Sequence, residues 1–121
     1  MIPRPCLAFA LFLLAPLAAA AGDVVSPGAD FNGTYAPEGL TCDGPGRIKV
    51  TDGVMVGAEF AISITDLIEF PGEPNTVEAT LLNQGGGGEW VDSAILTLAE
   101  DGRSLRFDYP DGSTLVWNRC E

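Results

Sequence analysis

The chain has 121 residues, with 6 basic side chains, 17 acidic side chains and no histidine. This length accommodates one domain. The lack of histidine excludes the usual serine–histidine and cysteine–histidine nucleophile pairs and removes the commonest metal ligand. A net charge of −11 argues against a nucleic-acid binder and against docking on an anionic membrane, because both need clustered basic side chains.

Residues 1–21 have the order of a bacterial secretory signal peptide. Arg4 supplies the positive charge, Leu7–Leu14 is an unbroken apolar run, and small residues follow up to Ala21. We predict cleavage after Ala21 or one residue earlier, which places the mature protein in the periplasm or outside the cell. A membrane anchor is the alternative, but the apolar stretch is shorter than the roughly 20 residues that span a bilayer.

Two cysteines, Cys42 and Cys120, remain after cleavage, and the net charge becomes −12 because Arg4 is lost. An even count in an oxidising compartment predicts one disulfide, and two free thiols are the alternative. The bridge would close most of the mature chain into a loop and stabilise it by up to roughly 4 kcal/mol. We divide the mature chain into a flexible N-terminal arm, residues 22–30, and one domain, residues 31–121.

Apolar residues of the mature chain alternate by twos, and clusters of glycine, proline and aspartate separate the alternating segments. This pattern predicts about eight short antiparallel strands. Such a meander can close into a small all-β barrel, which removes exposed strand edges. A two-sheet β-sandwich is the alternative.

The last two hairpins can be given a register from their turns. We interpret Asp101-Gly102 as a two-residue type I′ turn and Pro110–Gly112 as a three-residue loop. Both choices keep the apolar side chains on one face, whereas a loop of another parity would turn a strand over. The predicted partners are Leu98 with Leu105, Leu96 with Phe107, Phe107 with Leu115, and Leu105 with Trp117.

The first hairpin is given a three-residue loop, Thr51–Gly53, by the same reasoning. This loop pairs Val50 with Val54 and Ile48 with Val56. A long central strand follows, and we expect one apolar face along it. The residues expected on that face are Phe60, Ile62, Ile64, Ile68 and Phe70.

Asp66 interrupts this apolar face. It either points inward, as a carboxylate facing a polar ligand in a barrel cavity, or a bulge at Thr65 and Asp66 turns it outward. Asp92 follows Trp90 in a later strand and has the same two interpretations. If both carboxylates point inward, they form a candidate acid/base pair or cation site.

The large aromatic residues of the C-terminal half, including Trp90, Tyr109 and Trp117, either pack in the core or line an apolar ligand site. Gly85–Gly88 is interpreted as a linker between strands, because neither a Gly-Lys-Ser/Thr sequence nor a helix follows it. The acidic residues do not have the spacing of a calcium loop. We expect neither a metal nor a cofactor.

Gly33-Thr34-Tyr35, on the first predicted strand, resembles the Gly-x-Trp opening of lipocalin-like barrels, with Tyr35 in the place of tryptophan. The layout is similar to the small periplasmic inhibitors of bacterial secreted metalloproteases. That resemblance implies an eight-stranded barrel and an N-terminal arm that enters the protease cleft. The candidate arm residues are Val24, Val25, Ser26 and Pro27.

Three functional hypotheses follow from these observations. The first is a monomeric, non-enzymatic barrel that binds a protein partner or a small ligand in the cell envelope. The second is a periplasmic protease inhibitor that acts through its arm, and the third is an enzyme that uses the Asp66/Asp92 pair. The candidate ligand-binding residues are Asp66, Trp90, Asp92, Tyr109 and Trp117.

Overall fold

The computed structural model describes residues 24–27 and 29–120, and its eight strands form a closed antiparallel barrel. A short 3-10 helix, Ala29–Phe31, precedes the first strand. The predicted signal peptide lies outside the described residues. The strands are β1 (Gly33–Pro37), β2 (Ile48–Thr51), β3 (Val54–Val56), β4 (Phe60–Phe70), β5 (Glu73–Gly85), β6 (Gly88–Leu98), β7 (Ser104–Asp108) and β8 (Thr114–Arg119).

The barrel closes because β8 returns to β1. Tyr35 lies opposite Arg119, and Pro37 lies opposite Trp117. Every other strand pairs with its neighbours in chain order. The predicted eight-stranded barrel is therefore confirmed, and the sandwich alternative is wrong. Among residues 24–27 and 29–120, no helical segment has the length and apolar character that a membrane crossing needs.

The interior of the barrel is filled by side chains. Its largest members include Tyr35 and Phe107, both fully buried, and the Phe107 ring meets Trp117 edge to face with centroids 4.6 Å apart. The barrel axis is therefore a packed core and not a hollow channel. The other core residues are Phe31, Ile48, Val50, Met55, Ile62, Ile64, Val77, Ala79, Leu81, Ala94, Leu96, Leu98 and Leu105.

The two C-terminal hairpins have the predicted register. Leu98 lies opposite Leu105, and Leu105 lies opposite Trp117. The β7–β8 turn closes with the Tyr109 amide donating to the Ser113 carbonyl over 3.0 Å. The predicted three-residue loop is therefore confirmed.

The β6–β7 turn keeps its predicted register with a different geometry. Type I′ needs a positive φ at both central residues, but of Asp101 and Gly102 only Gly102 has one, at 75°. The Ala99 amide donates to the Ser104 carbonyl over 2.9 Å, so four residues connect the strands instead of two. An even difference in loop length leaves the same side chains inside.

The three-residue loop predicted for the first hairpin is wrong. Asp52 and Gly53 have φ of 49° and 89°, which makes them the two central residues of a type I′ turn. Val50 consequently lies opposite Met55 instead of Val54. This one-residue shift turns β3 over, so Met55 is the buried side chain of the strand.

Strand β4 contains a bulge. Its register against β5 shifts between Ile64 and Asp66, because an extra residue lies between them. Asp66 is exposed, and its carboxylate accepts a hydrogen bond from the Leu67 amide over 3.0 Å. The expectation that Ile68 shares the inner face is wrong, since it is 57% exposed.

One end of the barrel is held by Arg119 and by the predicted disulfide, Cys42–Cys120, whose Cα atoms are 5.7 Å apart. The guanidinium lies over the Tyr35 ring at 5.0 Å and donates to its hydroxyl over 2.9 Å. It also donates to the Asn32 carbonyl over 3.0 Å. These contacts tie the start of β1 to the end of β8.

The candidate arm lies against the barrel at residues 24–27. The Val25 amide donates to the Ile64 carbonyl of β4 over 2.8 Å. A Cβ on Gly53 would overlap the Val25 carbonyl, so the turn needs glycine here both for this approach and for its positive φ. Asn32 fixes the same turn, since its side-chain oxygen accepts from the Asp52 amide over 2.8 Å.

Candidate binding cleft beside strand β6

Within the described part of the chain, half of strand β6 has a neighbouring strand on one side only. It pairs with β5 from Gly88 to Thr97, but with β7 only from Ile95 to Leu98. The reason is the β7–β8 turn, which begins at Tyr109 and leads the chain away before β7 can reach the start of β6. We call Glu89–Ala94 the open edge of β6.

A cleft of about 710 Å³ lies between this edge and the β7–β8 turn. It is found at the opposite end of β8 from Arg119, because β8 runs from the turn towards Arg119. Thr80 of β5 contributes to its lining, and most of the other lining residues come from two elements. These are Val91, Asp92 and Ser93 of β6, and Tyr109, Asp111 and Ser113 of the turn.

Asp92 belongs to the inner face of the sheet. It lies opposite Leu81 and, through it, in the row of Ile64, both of which are buried. The Trp90 indole donates to Asp92 Oδ2 over 3.2 Å, and the Asn83 amide group donates to the same oxygen over 3.3 Å. Within residues 24–27 and 29–120, Oδ1 accepts no hydrogen bond, so it is available to a ligand.

Asn83 supports this arrangement from β5. It is 8% exposed, the one buried polar side chain of the described part of the chain. Besides Asp92, its amide group contacts the carbonyl oxygens of Leu81 and Trp90, each over 3.4 Å. A buried amide needs such partners, and its position orients Asp92 towards the cleft. Asn83 was not among the predicted site residues, although a polar residue in an apolar row is visible as an exception to the alternation.

Tyr109 forms the centre of the cleft. Its ring stacks on Phe107 with a centroid distance of 6.2 Å, which fixes its orientation. Burial raises the pKa of the Tyr109 phenol above its ordinary 10.0, and the nearby charges of Asp92 and Asp111 raise this pKa further. The phenol therefore stays neutral, and a neutral phenol can donate a hydrogen bond to a ligand.

Asp111 is held by its own turn. Its carboxylate accepts hydrogen bonds from the Ser113 hydroxyl over 2.6 Å and from the Ser113 amide over 2.8 Å. These bonds lower the pKa of Asp111, which keeps the group ionised. Asp111 was not among the predicted site residues, since in the sequence it reads only as a turn residue.

The other predicted site residues are distributed around the molecule. Trp90 is at the open edge and 51% exposed, whereas Trp117 is in the core and 2% exposed. Asp66 lies on the outer face of the sheet, in the row of Thr80, while Asp92 lies on the inner face. The structure therefore does not bring the two carboxylates together on one face.

The cleft is acidic without compensation. Of the basic side chains in the described part of the chain, none lines it. Arg119 is engaged at the other end of the barrel, and Arg106 pairs with Asp108 over 3.1 Å on the surface. Two carboxylates beside a neutral phenol, with the Trp90 indole bonded to Asp92, make the cleft electrostatically more favourable for a cation than for an anion.

Residues 24–27 and 29–120 contain no cluster of three or more histidine, cysteine, aspartate or glutamate side chains with the geometry of a metal site. No protein-family model matches the chain, no curated protein matches it, and no solved structure matches it. Any functional proposal therefore rests on the geometry of the cleft.

Proposed function

We propose that the protein is an exported, acidic, non-enzymatic β-barrel that binds a protein partner in the cell envelope through the cleft beside β6. The observation that carries this proposal is the position of the opening. The barrel axis is packed with apolar side chains, whereas the cleft at its rim presents Asp92, Tyr109 and Asp111 to solvent. Recognition is therefore external, and the recognised group is cationic.

The shape of the cleft favours a protein partner over a small ligand. Sites for small apolar ligands are enclosed and mostly apolar. The cleft is open along β6 and bordered by charged side chains, and the apolar interior behind it is occupied by Leu81 and Ala94. This supports a macromolecular partner that contributes a lysine or arginine side chain.

Two other hypotheses receive less support. An acid/base pair needs two carboxylates near one substrate, and Asp66 and Asp92 belong to opposite faces of the sheet. An inhibitory arm needs a projecting segment, and Val25 is hydrogen-bonded to Ile64. The resemblance of Gly33–Tyr35 to lipocalin-like inhibitors stays a prediction, and the proposed binding does not depend on it.

Export is supported by the disulfide, since such bonds persist in oxidising compartments. Native mass spectrometry of the protein released gently from its cells tests both export and ligand state. We expect a monomer that begins near Gly22 and lacks two hydrogens. A retained small-molecule adduct would contradict the proposal, because the packed interior has no room for it.

A titration tests the cleft. We expect N-acetyl-lysine methylamide to shift the ¹H–¹⁵N resonances of Asp92 and Tyr109 in the mature protein, and added salt to weaken the effect. The glutamate analogue of the ligand is the negative control. Asp92→Asn should reduce the shifts, whereas Glu100→Gln, which removes an equal charge at the other end of β6, should not. Equal shifts with the glutamate analogue would refute the proposal.

A further inference from the structure

We propose that the open edge of β6 binds an extended, basic segment of the partner protein as an added β-strand. This inference rests on the proposed function, and it specifies how the partner is held. Two observations independent of the acidic cleft carry it. They are the outward backbone groups of Glu89–Ala94, which have no strand partner opposite β5 among residues 24–27 and 29–120, and the exposed apolar side chains on both faces of that strand.

The backbone of the open edge is suited to strand addition. A strand without a neighbour presents a row of amide and carbonyl groups that an extended peptide can satisfy. The β5–β6 ladder runs from Thr76 with Thr97 to Gly85 with Gly88 without a register shift. The outward groups of Glu89–Ala94 are therefore evenly spaced for a ladder with another strand.

The side chains of the open edge provide a surface on each face. Trp90 is 51% exposed on the inner face, and Val91 is 65% exposed on the outer face. Leu82, opposite Val91 in β5, continues the outer surface. An added strand places successive side chains on alternate faces, so its residues would pack on Trp90 and Val91 in turn.

The length of the segment follows from the ends of the site. Six residues of strand extend roughly 20 Å at about 3.3 Å per residue. Tyr109 and the β7–β8 turn stand at the Ala94 end and stop an added strand there. At the other end, β6 begins at the glycine turn after Gly85. A segment of five or six residues therefore fits.

Charge decides the composition of the segment. Glu89 and Asp92 project from the edge itself, and Asp111 faces it across the cleft. A lysine or arginine of the added strand, on the inner face, would reach Asp92. A second copy of this chain is disfavoured, since each mature copy carries a net charge of −12 after the loss of Arg4 and would bring its own Glu89 and Asp92.

The test is a titration of the mature, ¹⁵N-labelled protein with the hexapeptide acetyl-Lys-Val-Lys-Val-Lys-Val-amide. We expect binding that slows hydrogen exchange at every other amide from Glu89 to Ala94, because alternate amides already bond to β5. Asp92→Asn should weaken binding about three- to fivefold, as expected for one partly exposed ion pair. Glu100→Gln is the matched control and should have no effect.

Two peptide controls make the mechanism falsifiable. The same peptide with N-methyl groups on its valines keeps all charges but cannot complete a ladder, and the Glu-Val hexapeptide reverses the charge. We expect neither to protect the open edge. Equal binding of the N-methylated peptide would overturn strand addition and leave cationic recognition standing. Equal binding of the acidic peptide would overturn the basic partner.

Failure of this inference is distinguishable from failure of the proposed function. If N-acetyl-lysine methylamide shifts Asp92 and Tyr109 but the Lys-Val hexapeptide protects no amide of β6, strand addition is overturned and the cleft stands. If neither ligand binds, both are overturned.

Discussion

In the described part of the barrel, long stretches of β6 and β4 lack a neighbouring strand on one side, and the two edges differ in how they are protected. The first half of β6 keeps a regular ladder with β5 up to its open edge. The second half of β4 extends beyond β3, which reaches only as far as Ser63. There the register shifts twice, after Ile64 and after Glu69, and Val25 covers the point where β3 ends.

The difference shows two ways of protecting an edge. Bulges and a covering segment make β4 a poor template for any further strand. On β6 the protection is a charge, because Asp92 points to the inner face and deters apolar or acidic strands. A charge, unlike a bulge, is selective, and we expect it to admit a basic strand.

The largest effect is expected on the stability of the barrel, while the open edge of β6 should be unaffected. Replacing both Cys42 and Cys120 with serine should lower the free energy of unfolding by up to roughly 4 kcal/mol, because the unfolded chain is no longer closed into a loop. Urea denaturation measures this. Peptide protection of Glu89–Ala94 should survive in the folded fraction, since the bridge lies at the other end of β8. If protection is lost although the protein is still folded, the disulfide and the open edge of β6 are coupled.

Gly53→Ala should uncover the edge of β4. Alanine at this position meets the Val25 carbonyl and must adopt a φ of 89°, at a cost of about 1–3 kcal/mol. Gly72→Ala is the control, since it has a φ of 80° with open space around its Cβ. Exchange of the Val25 amide should accelerate in the first variant alone. Equal acceleration in both variants would mean that the backbone strain they share, and not the loss of the Gly53 contact, exposes the Val25 amide.

Between Ile64 and Glu69, deleting Thr65 should make the edge of β4 more like the edge of β6. It removes the extra residue of the bulge, so β4 regains regular alternation while Leu67 keeps its place towards the core. We expect a change in unfolding free energy of about 1 kcal/mol or less, because the inner face is preserved. The Lys-Val hexapeptide should then perturb residues 66–70 as well as β6. If only β6 responds, regularity is not what distinguishes the edges.

The surroundings of the Tyr109 phenol can be tested by measuring the stability of the protein at high pH. Its pKa is raised in the fold, so its stabilising contribution is complete below the unfolded value of 10.0 and is lost as pH rises through the folded pKa. Tyr109→Phe should therefore reduce the alkaline loss of stability. Part of that loss should remain, because burial also raises the pKa of Tyr35. An unchanged pH profile would contradict the burial of the Tyr109 phenol near Asp92 and Asp111.

The smallest effect is expected at acid pH. The pKa of Asp111 is lowered by its bonds to Ser113, so its contribution is present above the unfolded carboxyl pKa and disappears as pH falls through the folded value. The side chain is exposed, so we expect a slight change in stability and a clearer change in cation binding. Asp111→Asn should flatten the acid limb of binding of N-acetyl-lysine methylamide. An unchanged acid limb would mean that another carboxylate causes the loss of binding at low pH.

The barrel could be predicted where local chemistry and hydrophobic alternation agreed. Gly112 suits a left-handed position, and the loop around it leaves Phe107 and Leu115 on one face, so register and topology followed together. Two of the Asp-Gly pairs, Asp52-Gly53 and Asp101-Gly102, show the limit of such reasoning. Both suit a type I′ turn, yet only Asp52-Gly53 adopts it, where Asn32 and Val25 pack against the turn.

The candidate site could be predicted only in part. Asp92 was visible as a charge in an apolar row, and Trp90 and Tyr109 as large aromatic residues. Asp111 and Asn83 acquire their roles only because the fold places them at the cleft or beside Asp92. Asp66 and Asp92 looked equivalent in the sequence. A bulge places the first outside, and an unbroken ladder leaves the second inside.

The sequence by itself determined the class of fold, the disulfide and the order of the strands, because period-two alternation, turn residues and cysteine count are local or compositional signals. Only the tertiary structure decided where the barrel is open. Strand edges depend on the stagger between neighbours, and that stagger is set by packing across the whole barrel. The cleft beside β6 exists because the turn at Tyr109 comes before β7 can cover Asp92.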